Sequence, residues 1–326
     1  MKILIIRFSS IGDIVLTTPV MRCLKEQLDG CEIHYLTKSN FKGIIQNNPF
    51  IDKVFLLENN LPEIITQLKW EEYDEVVDLH HNLRTWRIKR KLKVKNTHSF
   101  DKLNYQKWLL TKFKINHLPK IHIVDRYLAT VGHLGVKNDG KGLDYFIPEK
   151  DHLANNLFPD FCKNGYVGVV IGASYETKQL PVNKLKDLCH NIQQPIVLLG
   201  GKEDAKIGEE LAYLYPNKIW NTCGQFNLNQ SAYLVKMADF IISNDTGLMH
   251  IAAAFHKKII SIWGNTVPEF GMNPYYGAQK VFSFESQVQD LKCRPCSKIG
   301  HHSCPKKHFK CMMKQDVEVI VIQLNN

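Results

Sequence analysis

Short runs of consecutive apolar, largely β-branched residues recur along the chain, and between them apolar positions return every three or four residues. The runs suit strands buried on both faces, whereas the longer period suits helices with one face on a core. In the first half they predict strands over 2–7, 32–36, 53–57 and 75–79, with helices near 18–28, 40–47 and 61–69. A break at 148–165 precedes a second series. Its strands are predicted over 166–171, 195–199, 240–243 and 258–263, and its helices near 181–191, 204–215, 229–236 and 247–255. Such alternation marks an α/β architecture with parallel sheets. Two series of similar length predict two Rossmann-like domains, 1–158 and 159–326, facing one another across a cleft.

Ligands of such sheets bind beyond the carboxyl ends of the strands, so the loops there carry the candidate chemistry. The first strand runs into Arg7-Phe8-Ser9-Ser10-Ile11-Gly12-Asp13. Small residues and Gly12 let the backbone turn tightly and approach a ligand. Asp13 is either a first-turn carboxylate favoured by the helix dipole or a general base for an acceptor hydroxyl. A second loop, Gly172-Ala173-Ser174-Tyr175-Glu176-Thr177-Lys178, either offers the hydroxyls of Ser174 and Thr177 and a lysine charge suited to a diphosphate or is a surface loop with a solvated lysine. A third, Gly200-Gly201-Lys202-Glu203-Asp204, places Glu203 where a carboxylate accepts ribose hydroxyls or caps a helix. The fourth, Ser243-Asn244-Asp245-Thr246-Gly247-Leu248-Met249-His250, ends a strand and opens a small-residue helix. Free N–H groups at such a helix start favour phosphate, and a plain helix cap with a core histidine is the alternative.

The formal net charge of +10 is local. Between Arg84 and Lys120 stand twelve Lys or Arg and the single acid Asp101, enough to account for all of it. An anionic partner follows: a phosphorylated lipid, an acidic sugar or a nucleic acid. Nucleic acid is disfavoured, because regularly interleaved aromatics and helix-turn-helix or zinc-finger spacings are missing. A dehydrogenase is disfavoured because no strand is followed by GxGxxG. Arg84 and Arg87 fall just after a predicted strand and could reach a ligand. Trp108, Leu109, Leu110 and Phe113 lie at helical spacing among lysines. A core-facing stripe is the preferred reading of those four residues, and a membrane-interfacial helix the alternative.

Apolar stretches such as 167–173 and 251–255 are far too short to span a bilayer, and MKILIIRFSS turns polar too soon for a secretory segment. Nine cysteines, five of them scattered singly, point to reduced thiols in a cytoplasmic protein. The remaining Cys293, Cys296, Cys304 and Cys311, near His301, His302 and His308, have a spacing that could hold zinc.

The opening KILIIRFSSIGDIVLTTP, the loop GASYETK ahead of a proline, and SNDTGLMHIAAAF followed by SIWGNTVPE resemble glycosyltransferase family 9, the ADP-heptose:lipopolysaccharide heptosyltransferases. DLHHNLRT at 78–85 and the CRPC pattern share the likeness, which spans nearly the whole chain in order. The resemblance implies a GT-B fold, an acceptor bound mainly by the N-terminal domain, a nucleotide sugar bound by the C-terminal one, and inversion at the anomeric carbon. Asp13 matches the family's proposed catalytic base, with Arg7, Ser10 and Gly12 beside it and Arg84 and Arg87 as further acceptor-side candidates. Ser174 and Lys178 match donor-phosphate positions. Asp245, Thr246, Gly247 and His250 match the donor-side helix start, and Glu203 the nucleoside-binding acid of a variable loop. The family usually has Lys-Arg-Trp-Pro or similar where this chain has Lys178-Gln179-Leu180-Pro181. The resemblance also implies ADP-heptose as donor and an anionic glycolipid acceptor, the lipid A–Kdo or heptosyl inner core of lipopolysaccharide. It weighs against a metal on the cysteines. A cytoplasmic monomer peripheral to the inner membrane is expected, with no cofactor. No metal is expected either, since no Asp-x-Asp pair follows an N-terminal strand. A related transferase using another nucleotide sugar is the alternative, with a non-catalytic nucleotide-binding protein third.

Overall fold

The computed structural model describes residues 1–325. Its strands are β1 (Lys2–Ile6), β2 (Glu32–Lys38), β3 (Lys53–Leu57), β4 (Glu75–Asp78), β5 (Asn96–Ser99), β6 (Val167–Val170), β7 (Ile196–Leu199), β8 (Ile219–Asn221), β9 (Phe240–Asn244), β10 (Lys258–Trp263) and β11 (Ser283–Gln287). They form two wholly parallel sheets, ordered β3-β2-β1-β4-β5 and β11-β10-β9-β6-β7-β8. This is the α/β, GT-B-type fold with two Rossmann-like units.

The chain divides into two compact units. The first comprises Met1–Lys102, Ile121–Phe146 and Gly277–Gln279; the second comprises Leu103–Lys120, Ile147–Tyr276 and the chain from Lys280 onward. Parallel strands are covered by helices on both faces, which is why KILII of β1 and IVLL of β7 read as unbroken apolar runs. Every residue of β4, β7 and β9 is buried. Each Ile, Leu or Val side chain so buried stabilises the fold by about 1.5–3 kcal/mol relative to exposure. Truncating Ile242, inside the second unit's core, to Ala would cost roughly 2–5 kcal/mol.

Local chemistry sets the helix starts. Helix Leu61–Lys69 begins where Asn60 accepts a hydrogen bond from the Glu63 N–H at 3.2 Å. Helix Leu228–Met237 begins in a reciprocal box, Gln230 N–H donating to Asn227 Oδ1 and Asn227 N–H to Gln230 Oε1. The predicted helix at 40–47 is shorter, a 3-10 turn Ser39–Phe41 leading into Lys42–Ile45.

One segment corrects the sequence reading. Helix Asn104–Phe113, in the middle of the basic stretch, belongs to the second unit. Only Leu110 of its four predicted core positions is buried, against Val267 and Phe270. Trp108 and Phe113 are 42% and 58% exposed, so the aromatics are not a core stripe. The chain after them supplies the anchor instead: Lys114 Nζ donates to the Pro295 carbonyl at 2.7 Å and the Cys293 carbonyl at 3.2 Å.

Candidate functional site

A doubly wound sheet has a switch point, where the connections leaving two adjacent strands run to opposite sides and leave a crevice at the strands' carboxyl ends. In the first unit this lies between β1 and β4, and in the second between β6 and β9. Each switch point carries an oppositely charged pair.

After β1, helix Ile11–Val15 starts at Ser10 and bears Asp13 in its first turn. Both readings of Asp13 share one geometry. Its Oδ2 accepts from the Ser10 hydroxyl at 2.7 Å and the Ser10 N–H at 3.2 Å, while Oδ1 lies 2.8 Å from Arg7 Nη2. The Asp13 side chain is 20% exposed and that of Arg7 only 9%. Arg7 spends its other donors on protein: Nε on the Ser9 carbonyl, Nη1 on the Leu79 carbonyl and the Tyr127 hydroxyl. Burial, the largest single influence, disfavours its charge, but Asp13, Tyr127 and Tyr35 together outweigh it and raise the Arg7 pKa. Arg7 therefore lies beneath Asp13 and orients it, rather than presenting a free fork to an acceptor. Gly12 is buried in the same turn.

His80 follows β4 and packs against Phe8, with ring centroids 4.8 Å apart and planes tilted by 54°. Burial foremost, then the charges of Arg7 and Lys102, push its pKa down to about 4. It is thus a neutral imidazole near the Arg7–Asp13 pair, and the sequence reading did not single it out. The signal was present in the HH of DLHHNLRT. Arg84 and Arg87 lie further along, both exposed on helix Leu83–Leu92. Leu83 before them and Trp86 between them are also exposed, at 78% and 50%.

In the second unit, Lys178 follows β6 and Asp245 follows β9. Lys178 Nζ lies 2.6 Å from Asp245 Oδ2, which also accepts from the Thr266 hydroxyl at 2.8 Å. Both side chains keep a little exposure, 16% and 11%. Thr246 is the N-cap of helix Gly247–Ala254 but makes no side-chain cap, so its hydroxyl leaves that helix's N–H groups uncovered. Ala252 and Ala253 are fully buried, His250 is buried at 2%, and Gly247 begins the helix. Ser174 and Glu203 are exposed on their loops. Asp204, not Glu203, is the structural acid there: its Oδ2 accepts from the Gly201 N–H at 2.8 Å. A Cβ at Gly172 would collide with that same oxygen. Burial raises the Asp204 pKa.

Thr177 is used differently from expectation. It is 1% exposed, and its hydroxyl and the His301 backbone exchange hydrogen bonds at 2.8 and 2.9 Å. The cysteine-rich segment is the strap that makes this contact. Arg294 Nη2 donates to the Thr266 carbonyl, and the Cys296 N–H to the Asn265 carbonyl, each at 3.0 Å. Gly300 adopts a φ of +131° against Tyr175, where a side chain would clash. The strap thereby ties the Lys178 loop to the loop after β10. Asn265 in that loop is 1% exposed, yet neither Oδ1 nor Nδ2 has a hydrogen-bond partner. A buried amide left so is a functional candidate the sequence reading missed, although SIWGNTVPE contains it.

The four clustered cysteines interact electrostatically, and burial raises Cys296 to about 11 and Cys311 to about 12. Among the described residues, the His, Cys, Asp and Glu sets whose ligand atoms lie within 4.8 Å of one another are Glu75/His98/His133 and Glu32/His34/Glu71; neither includes a cysteine. No helix among them is long and apolar enough to cross a membrane.

The family profile of glycosyltransferase family 9 (heptosyltransferase) matches residues 62–302. Over 298 residues the chain is 29% identical to lipopolysaccharide heptosyltransferase 1 of Campylobacter coli, covering 82% of this chain and 84% of that one. The glycosyl transferase family 9 structure from Veillonella parvula DSM 2008 superposes with TM-score 0.78 at 20% identity, covering 99% of this chain and 96% of that one. E. coli heptosyltransferase WaaC with ADP superposes at 0.72 and 18% identity, covering 100% and 99%. A carboxylate braced at one switch point, a lysine poised at the other and a match across most of the chain lead to one conclusion: this protein belongs to glycosyltransferase family 9 and is a glycosyltransferase.

Proposed function

We propose that this enzyme transfers a heptose from ADP-heptose to the inner core of lipopolysaccharide, with inversion and without a catalytic metal. The observation that carries the reading is the Lys178–Asp245 pair beside an uncapped helix start. A lysine and free N–H groups at that point neutralise a diphosphate leaving group. Asp245 repels phosphate, so its partners in the donor are hydroxyl groups of the sugar or ribose, and it holds Lys178 in place until the donor arrives. Asp13, oriented by Arg7 and Ser10, takes the proton of the acceptor hydroxyl. That oxygen attacks the anomeric carbon, the carbon–oxygen bond to the diphosphate breaks, and ADP leaves with the electron pair.

The identity of the donor is supported by the names of the relatives, a lipopolysaccharide heptosyltransferase and a heptosyltransferase seen with ADP. The acceptor is supported by charge: exposed Arg84 and Arg87 belong to a stretch of twelve cations. Exposed Trp86 and Trp108 in the same stretch suit a peripheral place at a lipid surface. The test is a donor panel of ADP-heptose, UDP-sugars and GDP-sugars with a Kdo–lipid A acceptor, read by mass spectrometry. A heptosyl mass increment from ADP-heptose alone, unchanged by added Mg²⁺, is expected. Transfer from a UDP- or GDP-sugar instead would overturn the donor assignment, and dependence on Mg²⁺ the metal-free mechanism.

A further inference from the structure

We propose that Glu75, His98 and His133 form a binding site for a divalent transition ion of the zinc class, on the first sheet across β4 and its edge strand β5. Glu75 opens β4 and His98 lies in β5, the edge strand. The register pairs His98 with Val77. Side chains alternate along a strand, so Glu75, Val77 and His98 share one face of the sheet. His133 reaches that face from the 3-10 helix Ala129–Leu134.

The ligand atoms of the three residues all lie within 4.8 Å of one another. The imidazoles of His98 and His133 stack, with centroids 3.8 Å apart and planes 18° from parallel. Glu75 is only 2% exposed, and its Oε1 has no hydrogen-bond partner. His133 Nε2 stands 3.0 Å from that oxygen, at ion-pair distance but outside hydrogen-bonding geometry. A buried carboxylate oxygen in that condition is costly unless a cation satisfies it.

The other acidic–histidine set has its cations already: Lys2 donates to Glu71 at 3.1 Å and Lys53 also donates to it, and these bonds lower the Glu71 pKa. No lysine or arginine is paired with Glu75 among the described ion pairs. Two imidazole nitrogens and one carboxylate are the donor set of a three-ligand zinc site with an open fourth position. Tetrahedral ligation at about 2.0–2.2 Å sets donors roughly 3.3 Å apart, so the 3.0 Å Glu75–His133 contact would widen slightly and the stacked imidazoles would turn out of parallel until both nitrogens face the ion. An ion here would pin the 129–134 turn to the sheet's edge strand, which runs into Lys102, the last residue before the chain passes to the second unit. Glu75 lies about 10 Å along β4 from the Asp78 end and His98 one residue short of it, and none of the three ligands belongs to the loop of Arg7 and Asp13, so the role is structural rather than catalytic.

The test uses the full chain, stripped with a chelator and titrated with Co²⁺ and then Zn²⁺, beside His133→Ala and His98→Ala. His133 is partly exposed, which keeps its variant foldable, and circular dichroism checks that it is folded. The readout is the Co²⁺ difference spectrum between wild type and His133→Ala. The proposal expects one equivalent lost in each variant, with ligand-field bands and no thiolate charge-transfer band in the difference. It also expects affinity lowered about tenfold or more, and a Zn²⁺-induced rise in Tm present only in wild type. A null difference spectrum, or a difference carrying the thiolate band of the cysteines, would overturn it.

Discussion

The two switch points hold the same kind of pair and use it in opposite ways. In the first unit the cation is an arginine whose guanidinium is spent on the Ser9 and Leu79 carbonyls, Tyr127 and Asp13, leaving the carboxylate as the outward group. In the second the cation is Lys178, a point charge on a flexible stem whose ammonium partners among the described residues are both on Asp245, the carboxylate at 2.6 Å and the carbonyl at 3.4 Å. A planar fork suits permanent bracing, whereas an ammonium on a flexible stem can exchange a carboxylate for a phosphate. On the proposed mechanism one pair therefore serves as a base and the other as a diphosphate cradle, although both rest on a positive and a negative residue.

That contrast can be broken by substitution. The largest effect is expected for Asp13→Asn, which keeps the shape but not the base: kcat should fall by about 10³-fold, measured by release of nucleotide. Lys178→Ala should follow, with kcat reduced about 10²-fold and partial recovery in Lys178→Arg. Arg7→Met strikes the brace. It strands the Leu79 and Ser9 carbonyls and the Asp13 charge, and should lower stability by about 3 kcal/mol in urea unfolding.

A last effect is a pH dependence of stability. His80 resists protonation in the fold down to about 4, whereas an unfolded histidine protonates near its ordinary 6.5. The unfolded chain then binds the extra proton between those values, so this contribution is complete above about 6.5 and is lost as pH falls toward 4. His80→Asn should flatten the stability–pH curve within that window. An unchanged slope would show that His80 is not held neutral.

How much of this was legible beforehand depends on the residue. Eight strands announced themselves as apolar runs because both faces of a parallel sheet are covered. Strands β5 (NTHS), β8 (IWN) and β11 (SFESQ) did not, since short edge strands, two of them polar, look like loop. Asp13, Lys178 and Asp245 were visible as polar residues after strands. Arg7 was visible too, but its bracing role was not, because Tyr127 lies 120 positions away. Thr177 was read as a ligand hydroxyl for the same reason: its partner His301 is 124 residues distant. Helical spacing placed Trp108 and Phe113 on a core face. Spacing gives the face a residue shares, and only the fold decides what covers that face.

Titration of ADP into the wild type, Asp13→Asn and Lys178→Ala by calorimetry tests the division of labour most directly. The account predicts that Asp13→Asn binds ADP within about twofold of wild type, while Lys178→Ala binds at least about tenfold more weakly, a difference of roughly 1.4 kcal/mol. The reverse pattern, with affinity lost at Asp13 and kept at Lys178, would contradict it.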